Sequence, residues 1–285
     1  MSAPALYAVL GNPVQHSRSP RIHELFAAQT GQRLRYERRL VALDGFDSAL
    51  AAFRAEGGMG CNVTVPFKFD AARVASRLSA RAELAGAANT LGWDGDGALW
   101  ADNTDGIGLV RDLARLLERP PQAALRGLDV LLLGAGGAAS GVLGALLDAG
   151  AQAVEVWNRS PERALQLVQR HAAKAALLGC ALRASEAPAS GHALVIHATA
   201  GSLRGELPQL PGDVLHAGAL AYDMMYGARP TPFVRLARAA GARAHDGLGM
   251  LVEQAAESFA LWREVRVRTE PVLRQLRAEL DAQAA

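Results

Sequence analysis

Cysteine is almost missing: the 285 residues contain two, Cys61 and Cys180, too few and too scattered for a disulfide framework or a zinc site. Charge of one sign is missing too. Thirty Lys and Arg face 28 Asp and Glu, a formal net charge of +2. That gives no basic field of the kind nucleic-acid binders present. No apolar run reaches the length of a membrane span. The first ten residues lack a basic leader and a long apolar core, so they do not read as a signal peptide. The cytoplasm is the default location. There is no internal repeat and no low-complexity segment, although Ala is frequent.

What remains is half apolar and long enough for two domains, each with its own core. The most informative stretch opens with the apolar run Val130–Leu133. It turns through Gly134-Ala135-Gly136-Gly137-Ala138-Ala139. A helical pattern follows, with Ala139, Val142, Leu143, Leu146 and Leu147 on one face. A second strand pattern, Ala153–Trp157, closes the unit. Strand, glycine turn, helix and strand make a mononucleotide-binding half. Gly134 permits the sharp turn, Gly136 lets backbone N–H groups approach a pyrophosphate, and small Ala139 allows close helix packing. The helix N-terminus offers free N–H groups and a positive dipole end to the phosphates.

An NAD site usually ends its second strand with Asp or Glu for the ribose hydroxyl. This chain has Asn158-Arg159-Ser160-Pro161-Glu162-Arg163. Two arginines, a hydroxyl and an amide suit a 2′-phosphate, so the expected cofactor is NADP. The same segment also reads as a helix start, with Ser160 as cap and Pro161 at the first helical position.

The pattern predicts an α/β chain throughout. Residues 1–104 alternate strands (5–10, 34–40, 59–63) with helices (20–29, 44–55), then a hairpin of 90–93 and 98–102. Ser19 and Asp44 are the expected helix caps. The sheet is expected to be mixed, with an antiparallel edge. A helix over 105–118 leads to the nucleotide unit, and strands at 193–197, 219–224 and 242–245 extend it. The expected division is 1–104 with 248–285, around a Rossmann domain over 105–247.

Polar clusters sit where strands of the first part end, the usual place for ligands in open α/β sheets. They are His16–Pro20, Asn62–Lys68, Ala88–Thr90 and Asp102–Gly106. Each alone reads as caps or solvated surface. Together they resemble the shikimate dehydrogenase family, and the likeness runs nearly the whole chain. Its G-N-P-x-x-H-S-x-S-P stretch is Gly11–Pro20, its N-V-T-x-P-x-K stretch Asn62–Lys68, and its N-T-D-x-x-G stretch Asn103–Gly108. G-A-x-N-T is Gly86–Thr90. Tyr222-Asp223-Met224 and Asp246–Gln254 follow in family order. Two departures stand out. Glu24 replaces the usual Asn, and His197-Ala198-Thr199-Ala200 stands for N-A-T-S.

The resemblance implies an N-terminal α/β substrate domain completed by the C-terminal helices, and a Rossmann NADP-binding domain. It implies reversible NADPH-dependent reduction of 3-dehydroshikimate to shikimate, a step toward aromatic amino acids. Lys68 and Asp105 would be catalytic. Ser17 and Ser19 would hold the substrate carboxylate, with Tyr222 near it. Thr64, Asn89 and Gln254, with the catalytic pair, would hold the ring hydroxyls. Gly134, Ala135, Gly136, Gly137 and Ala138, with Asn158, Arg159, Ser160 and Arg163, would bind the cofactor, with Gly247 near the nicotinamide. A polyhydroxy acid needs such convergent partners, because a buried unpaired hydroxyl is costly. Reduction needs a hydride donor and an acid for the developing alkoxide, a task lysine can fill. No metal cluster is visible, which argues against a zinc-type alcohol dehydrogenase. Nucleic acid and membrane partners are not expected; a homodimer is allowed. An NAD-using quinate/shikimate dehydrogenase and a non-catalytic NADP-binding regulator on the same fold stay open.

Overall fold

The structure, a computed structural model, describes residues 3–199, 207, 210–211 and 213–284. Among the described residues the chain builds two six-stranded sheets. The first comprises β1 (Ala5–Gly11), β2 (Leu34–Leu40), β3 (Gly58–Val63), β4 (Arg77–Leu78), β5 (Thr90–Trp93) and β6 (Leu99–Asp102). Its spatial order is β2-β1-β3-β5-β6-β4. Strands β1, β2 and β3 run parallel, and β5 is antiparallel to both β3 and β6. The sheet is mixed as expected, but the antiparallel strand is internal. The edge strand β4 pairs parallel to β6. Two exposed residues with no alternation gave β4 no signal in the sequence.

Four helices intervene: α1 (Ser19–Thr30), α2 (Phe46–Ala55), α3 (Lys68–Val74) and α4 (Ala80–Ala85). Helix α1 begins one residue earlier than expected. Arg18, not Ser19, is its cap residue, and no side chain caps it. Gly45, not Asp44, occupies the cap of α2. Helix α4 is a turn and a half long, too short for a periodic pattern, and Ser79 caps it by accepting from the Ala82 N–H at 3.2 Å.

Helix α5 (Asp105–Leu117) carries the chain to the second sheet. There β7 (Asp129–Leu133), α6 (Gly137–Asp148), β8 (Ala153–Trp157), α7 (Pro161–Leu177) and β9 (Ala181–Ser185) form one half. Strands β10 (Leu194–His197), β11 (Leu220–Asp223) and β12 (Arg243–Asp246), with α8 (Pro232–Ala239) before β12, form the other. All six strands pair in parallel in the order β12-β11-β10-β7-β8-β9. That is the doubly wound dinucleotide-binding order, with its crevice between β7 and β10. Val130–Leu133, Val154, Val156 and Leu194–Ile196 are fully buried, as a sheet covered on both faces requires.

The last two helices, α9 (Leu248–Arg263) and α10 (Thr269–Ala284), return to the first sheet. Ile22 and Phe26 of α1 pack with Leu248, Val252 and Phe259 of α9 and Val272, Leu276 and Leu280 of α10. Burying each of the larger side chains is worth about 1.5–3 kcal/mol. Trp262 of α9 lies over Gly60, where an added Cβ would come within 2.5 Å of its ring nitrogen. Its indole N–H donates to the Leu91 carbonyl at 3.0 Å. Among the described residues, no helix is long and apolar enough to cross a membrane.

Candidate active site

The strand ends of the first sheet carry a buried polar network. Lys68 is the first residue of α3, and Asp105 the first of α5. The Lys68 ammonium donates to Asp105 Oδ2 at 2.5 Å, with the two side chains 15% and 7% exposed. Asp105 is therefore inside its helix, and its carboxylate is committed to Lys68. Thr104 stands at the cap position. The Asn89 amide donates to Asp105 Oδ1 at 2.9 Å and to Gln254 Oε1 at 3.1 Å. Asn89 Oδ1 accepts from the Thr104 N–H at 2.8 Å. Four sequence-distant residues, Lys68, Asn89, Asp105 and Gln254, thus meet in one cluster.

The network continues through Asn62 to Ser258 and Tyr36, two residues that no motif singled out. Asn62 donates to Ser258 Oγ at 3.0 Å and accepts from the Tyr36 hydroxyl at 2.7 Å. Burial pushes the Tyr36 phenol well above its ordinary range, and contact with Ser19 acts the other way. Tyr36 lies on an Arg-rich strand pattern that gave no reason to place it in a site. Ser17 and Ser19 face each other, hydroxyl to hydroxyl, at 3.2 Å. The Ser19 N–H donates to Ser17 Oγ at 3.3 Å. Arg38 holds the Ser17 carbonyl at 2.8 Å. Thr64 packs its methyl into the space over Gly11, where a Cβ would sit 2.3 Å away. The peptides before Pro13 and Pro66 in these loops are cis.

Tyr222 does not join this group. Its ring is fully buried on β11, and its hydroxyl donates to Asp112 Oδ2 at 2.7 Å. Four residues on, Tyr226 reaches the backbone between the two serines: its hydroxyl accepts from the Arg18 N–H at 3.4 Å. The expected carboxylate contact for Tyr222 is corrected accordingly. Alternation along β11 turns residue 222 into the core, while the chain beyond Asp223 is free to bend toward α1. The second tyrosine was in plain view of the sequence but carried no periodic signal.

Across from Lys68 lies the glycine turn. Gly134 adopts φ 120°, and a Cβ there would meet the Ala198 carbonyl at 2.9 Å. Ala135 is buried, whereas Gly136 opens to empty space, with nothing within 4 Å of where its Cβ would be. Gly136 precedes α6, whose first residues are Gly137 and Ala138. Their N–H groups have no partner within the helix. A Cβ on Gly137 would lie 3.1 Å from Lys68 Cβ, so the lysine packs against the turn itself. At the end of β8, Asn158 donates to the Ser160 carbonyl at 3.0 Å. Ser160 holds the cap position of α7 without a capping bond from its side chain. Arg159 and Arg163 are exposed, and neither pairs with a carboxylate among the described residues. Gly247, before α9, lies against the Met224 carbonyl, where a Cβ would be at 2.4 Å. This donor set fits a dinucleotide phosphate: open backbone on the pyrophosphate side and two uncommitted guanidinium groups beyond it.

Residues 9–91 match the shikimate dehydrogenase substrate binding domain, 117–203 the shikimate/quinate 5-dehydrogenase family, and 247–277 the shikimate 5′-dehydrogenase C-terminal domain. The shikimate dehydrogenase (NADP(+)) of Acidovorax sp. (strain JS42) is 56% identical over 285 residues, 99% of each chain. The chain belongs to the shikimate dehydrogenase family. Among solved structures, shikimate dehydrogenase from Aquifex aeolicus is 29% identical with a TM-score of 0.84, covering 97% of this chain and 99% of that one. Shikimate 5-dehydrogenase from Thermus thermophilus, in complex with NADP(H) and shikimate, is 33% identical with a TM-score of 0.81. That match covers 96% of this chain and 99% of the other.

This shikimate dehydrogenase family member accommodates its two departures away from the cluster. Glu24 pairs with Arg21 at 2.9 Å on the surface of α1. His197 is buried at the end of β10, between Asp223 Oδ1 at 3.2 Å and the Thr199 hydroxyl at 2.7 Å. It stacks on Phe233. Ala200, the last of the four, lies outside the described residues.

Proposed function

We propose that the protein catalyses the reversible NADPH-dependent reduction of 3-dehydroshikimate to shikimate. Residues 1–104 and 248–285 would hold the substrate, and 105–247 the cofactor. The observation that carries this reading is the Lys68–Asp105 pair at 2.5 Å, packed against the glycine turn at Gly137. A proton donor beside a dinucleotide turn is what carbonyl reduction needs. Bound NADPH supplies the hydride. Lys68 gives a proton to the alkoxide oxygen that forms and takes it back in the reverse direction. Asp105 holds the ammonium in place and accepts from a ring hydroxyl. Asn89, Gln254 and Thr64 bind the remaining hydroxyls. Ser17 and Ser19, with Tyr226, hold the carboxylate. Arg159, Arg163, Asn158 and Ser160 receive the 2′-phosphate, and Gly134 to Ala138 the pyrophosphate. Gly247 lies on the nicotinamide side.

The relatives' NADP-dependent activity supports the cofactor assignment. The test is a nicotinamide absorbance assay with shikimate or quinate against NADP or NAD. Shikimate with NADP is expected to give the highest kcat/KM of the four combinations. Preference for quinate or NAD would reassign the specificity. No turnover with any pair, alongside NADP binding, would make the protein a regulator.

A further inference from the structure

Asp112 is a buried carboxylate outside the active cluster. It lies seven residues after Asp105 on α5, two helical turns along the same face. Its exposure is 2%, and it accepts from three donors. The Tyr222 hydroxyl is 2.7 Å from Oδ2; Arg115 Nε and Nη2 are 2.9 and 2.6 Å from Oδ1. The Tyr222 hydroxyl itself accepts from the Met250 N–H at 3.3 Å.

Three elements meet at this point. Helix α9 presses directly on the carboxylate at Gly249, where a Cβ would fall 2.1 Å from Asp112 Oδ1. One turn back on α5, Gly108 lies against Gln254, with a Cβ position 2.7 Å from its backbone nitrogen. Strand β11 enters through Tyr222. Each element bears a piece of the candidate site. Helix α5 starts with Asp105, α9 carries Gln254 and follows Gly247, and β11 leads into Met224 and Tyr226. The Gly247 N–H donates to the Met225 carbonyl at 2.9 Å, closing the loop between β11 and α9.

A buried carboxylate is an expensive way to fill this space, since an apolar side chain of the same size packs without desolvation cost. What the charged acceptor adds is direction. A phenol donating to a carboxylate is short and strongly oriented, and fixes β11 and α9 against α5 more narrowly than apolar contact does. We propose that Asp112 and Tyr222 are positioning residues for hydride transfer, a buried brace that sets the Met224–Gly247 side of the cofactor pocket against Asp105 and Lys68. The inference rests on the proposed oxidoreductase reading of the site. Neither residue touches the reacting atoms.

The test is Tyr222→Phe, which removes one oxygen and keeps the ring. Turnover of shikimate with NADP, both KM values and thermal stability are compared with wild type. In the reduction direction, the primary isotope effect is measured with NADPH deuterated at the transferred position. A brace for positioning lowers kcat by about tenfold, leaves both KM values within about twofold, and raises the isotope effect as hydride transfer becomes slower than release. Asp112→Asn retains an acceptor for the phenol and should fall between wild type and Asp112→Ala. It also serves if Tyr222→Phe does not fold. A lower melting temperature with unchanged kcat and unchanged isotope effect would overturn the proposal and leave a purely structural bond. A wild-type protein that binds NADP but turns over no shikimate would overturn the functional reading, and the brace with it.

Discussion

Single side chains decide the chemistry here, and Arg159 and Arg163 are the simplest to test. Among the described residues neither pairs with a carboxylate, Arg159 just after β8 and Arg163 in the first turn of α7. Replacing both with Ala should weaken NADP binding roughly 10- to 100-fold, the loss expected for charge-assisted contacts, with a much smaller change for NAD. Equal losses for both cofactors, measured by titration, would show that the arginines do not read the phosphate. Ser17→Ala, Ser19→Ala and Tyr226→Phe should each raise KM for shikimate and leave NADP affinity alone, whereas a neutral analogue without the carboxylate should be indifferent. Most of these positions were legible because polar residues at strand ends have a chemical use. Tyr226 and Tyr36 were not, because their roles depend on how a loop and an edge strand fold back on the site.

His23 gives a pH prediction at the same scale. Its ring stacks on Tyr36 at 4.2 Å, and burial lowers its pKa to about 3. An unfolded histidine titrates near 6.5. Between these values the unfolded chain takes up a proton that the native state refuses. This contribution is fully present above about pH 6.5 and is lost as pH falls toward 3, with a slope of about 1.4 kcal/mol per pH unit at most. His23→Phe keeps the stacking and should flatten the urea-derived stability profile over that window by up to one proton. Burial also lowers His171 and His245, so some slope should remain. A variant profile parallel to wild type would mean that His23 is protonated in the native state.

Elements hold these side chains through close helix contacts, and α5 against α9 is the tightest. Alanine at Gly108 would favour the helix by about 1 kcal/mol. The new Cβ would lie 2.7 Å from the Gln254 nitrogen and 2.8 Å from the Met250 carbonyl, both backbone atoms that cannot swing away. Overpacking of this kind costs about 1–3 kcal/mol, so the clash should win. Gly108→Ala is therefore expected to lower unfolding stability by up to about 2 kcal/mol and to raise KM for shikimate through Gln254. Stability at or above wild type in urea titration would show that the helices separate at little cost. The long elements of both sheets were readable from periodicity, within a residue or two at each end. What escaped was short or weakly patterned: α3, α4 and β4 are under eight residues, and β9 is an edge strand, Ala181–Ser185, with no clear alternation. Their positions depend on pairing and packing with distant segments.

For the whole molecule, neither sheet alone makes the site. Lys68 comes from the start of α3 beside the first sheet, Asp105 from the helix that leaves it, and the glycine turn from the second. A likeness spanning the ordered motifs made this arrangement legible before any geometry. The 2.5 Å separation of ammonium and carboxylate and the packing of Lys68 against Gly137 were not in the sequence. The central claim is that Lys68 and Asp105 act as one proton-handling unit. The most direct measurement is kcat for shikimate oxidation in wild type, Lys68→Ala, Asp105→Ala and the double variant, with NADP binding checked in each. Each single loss should be about 10²–10⁴-fold with NADP binding intact, and the double variant should be little worse than the worse single one. Strictly multiplicative losses, or a Lys68→Ala enzyme with near-normal kcat, would contradict the account.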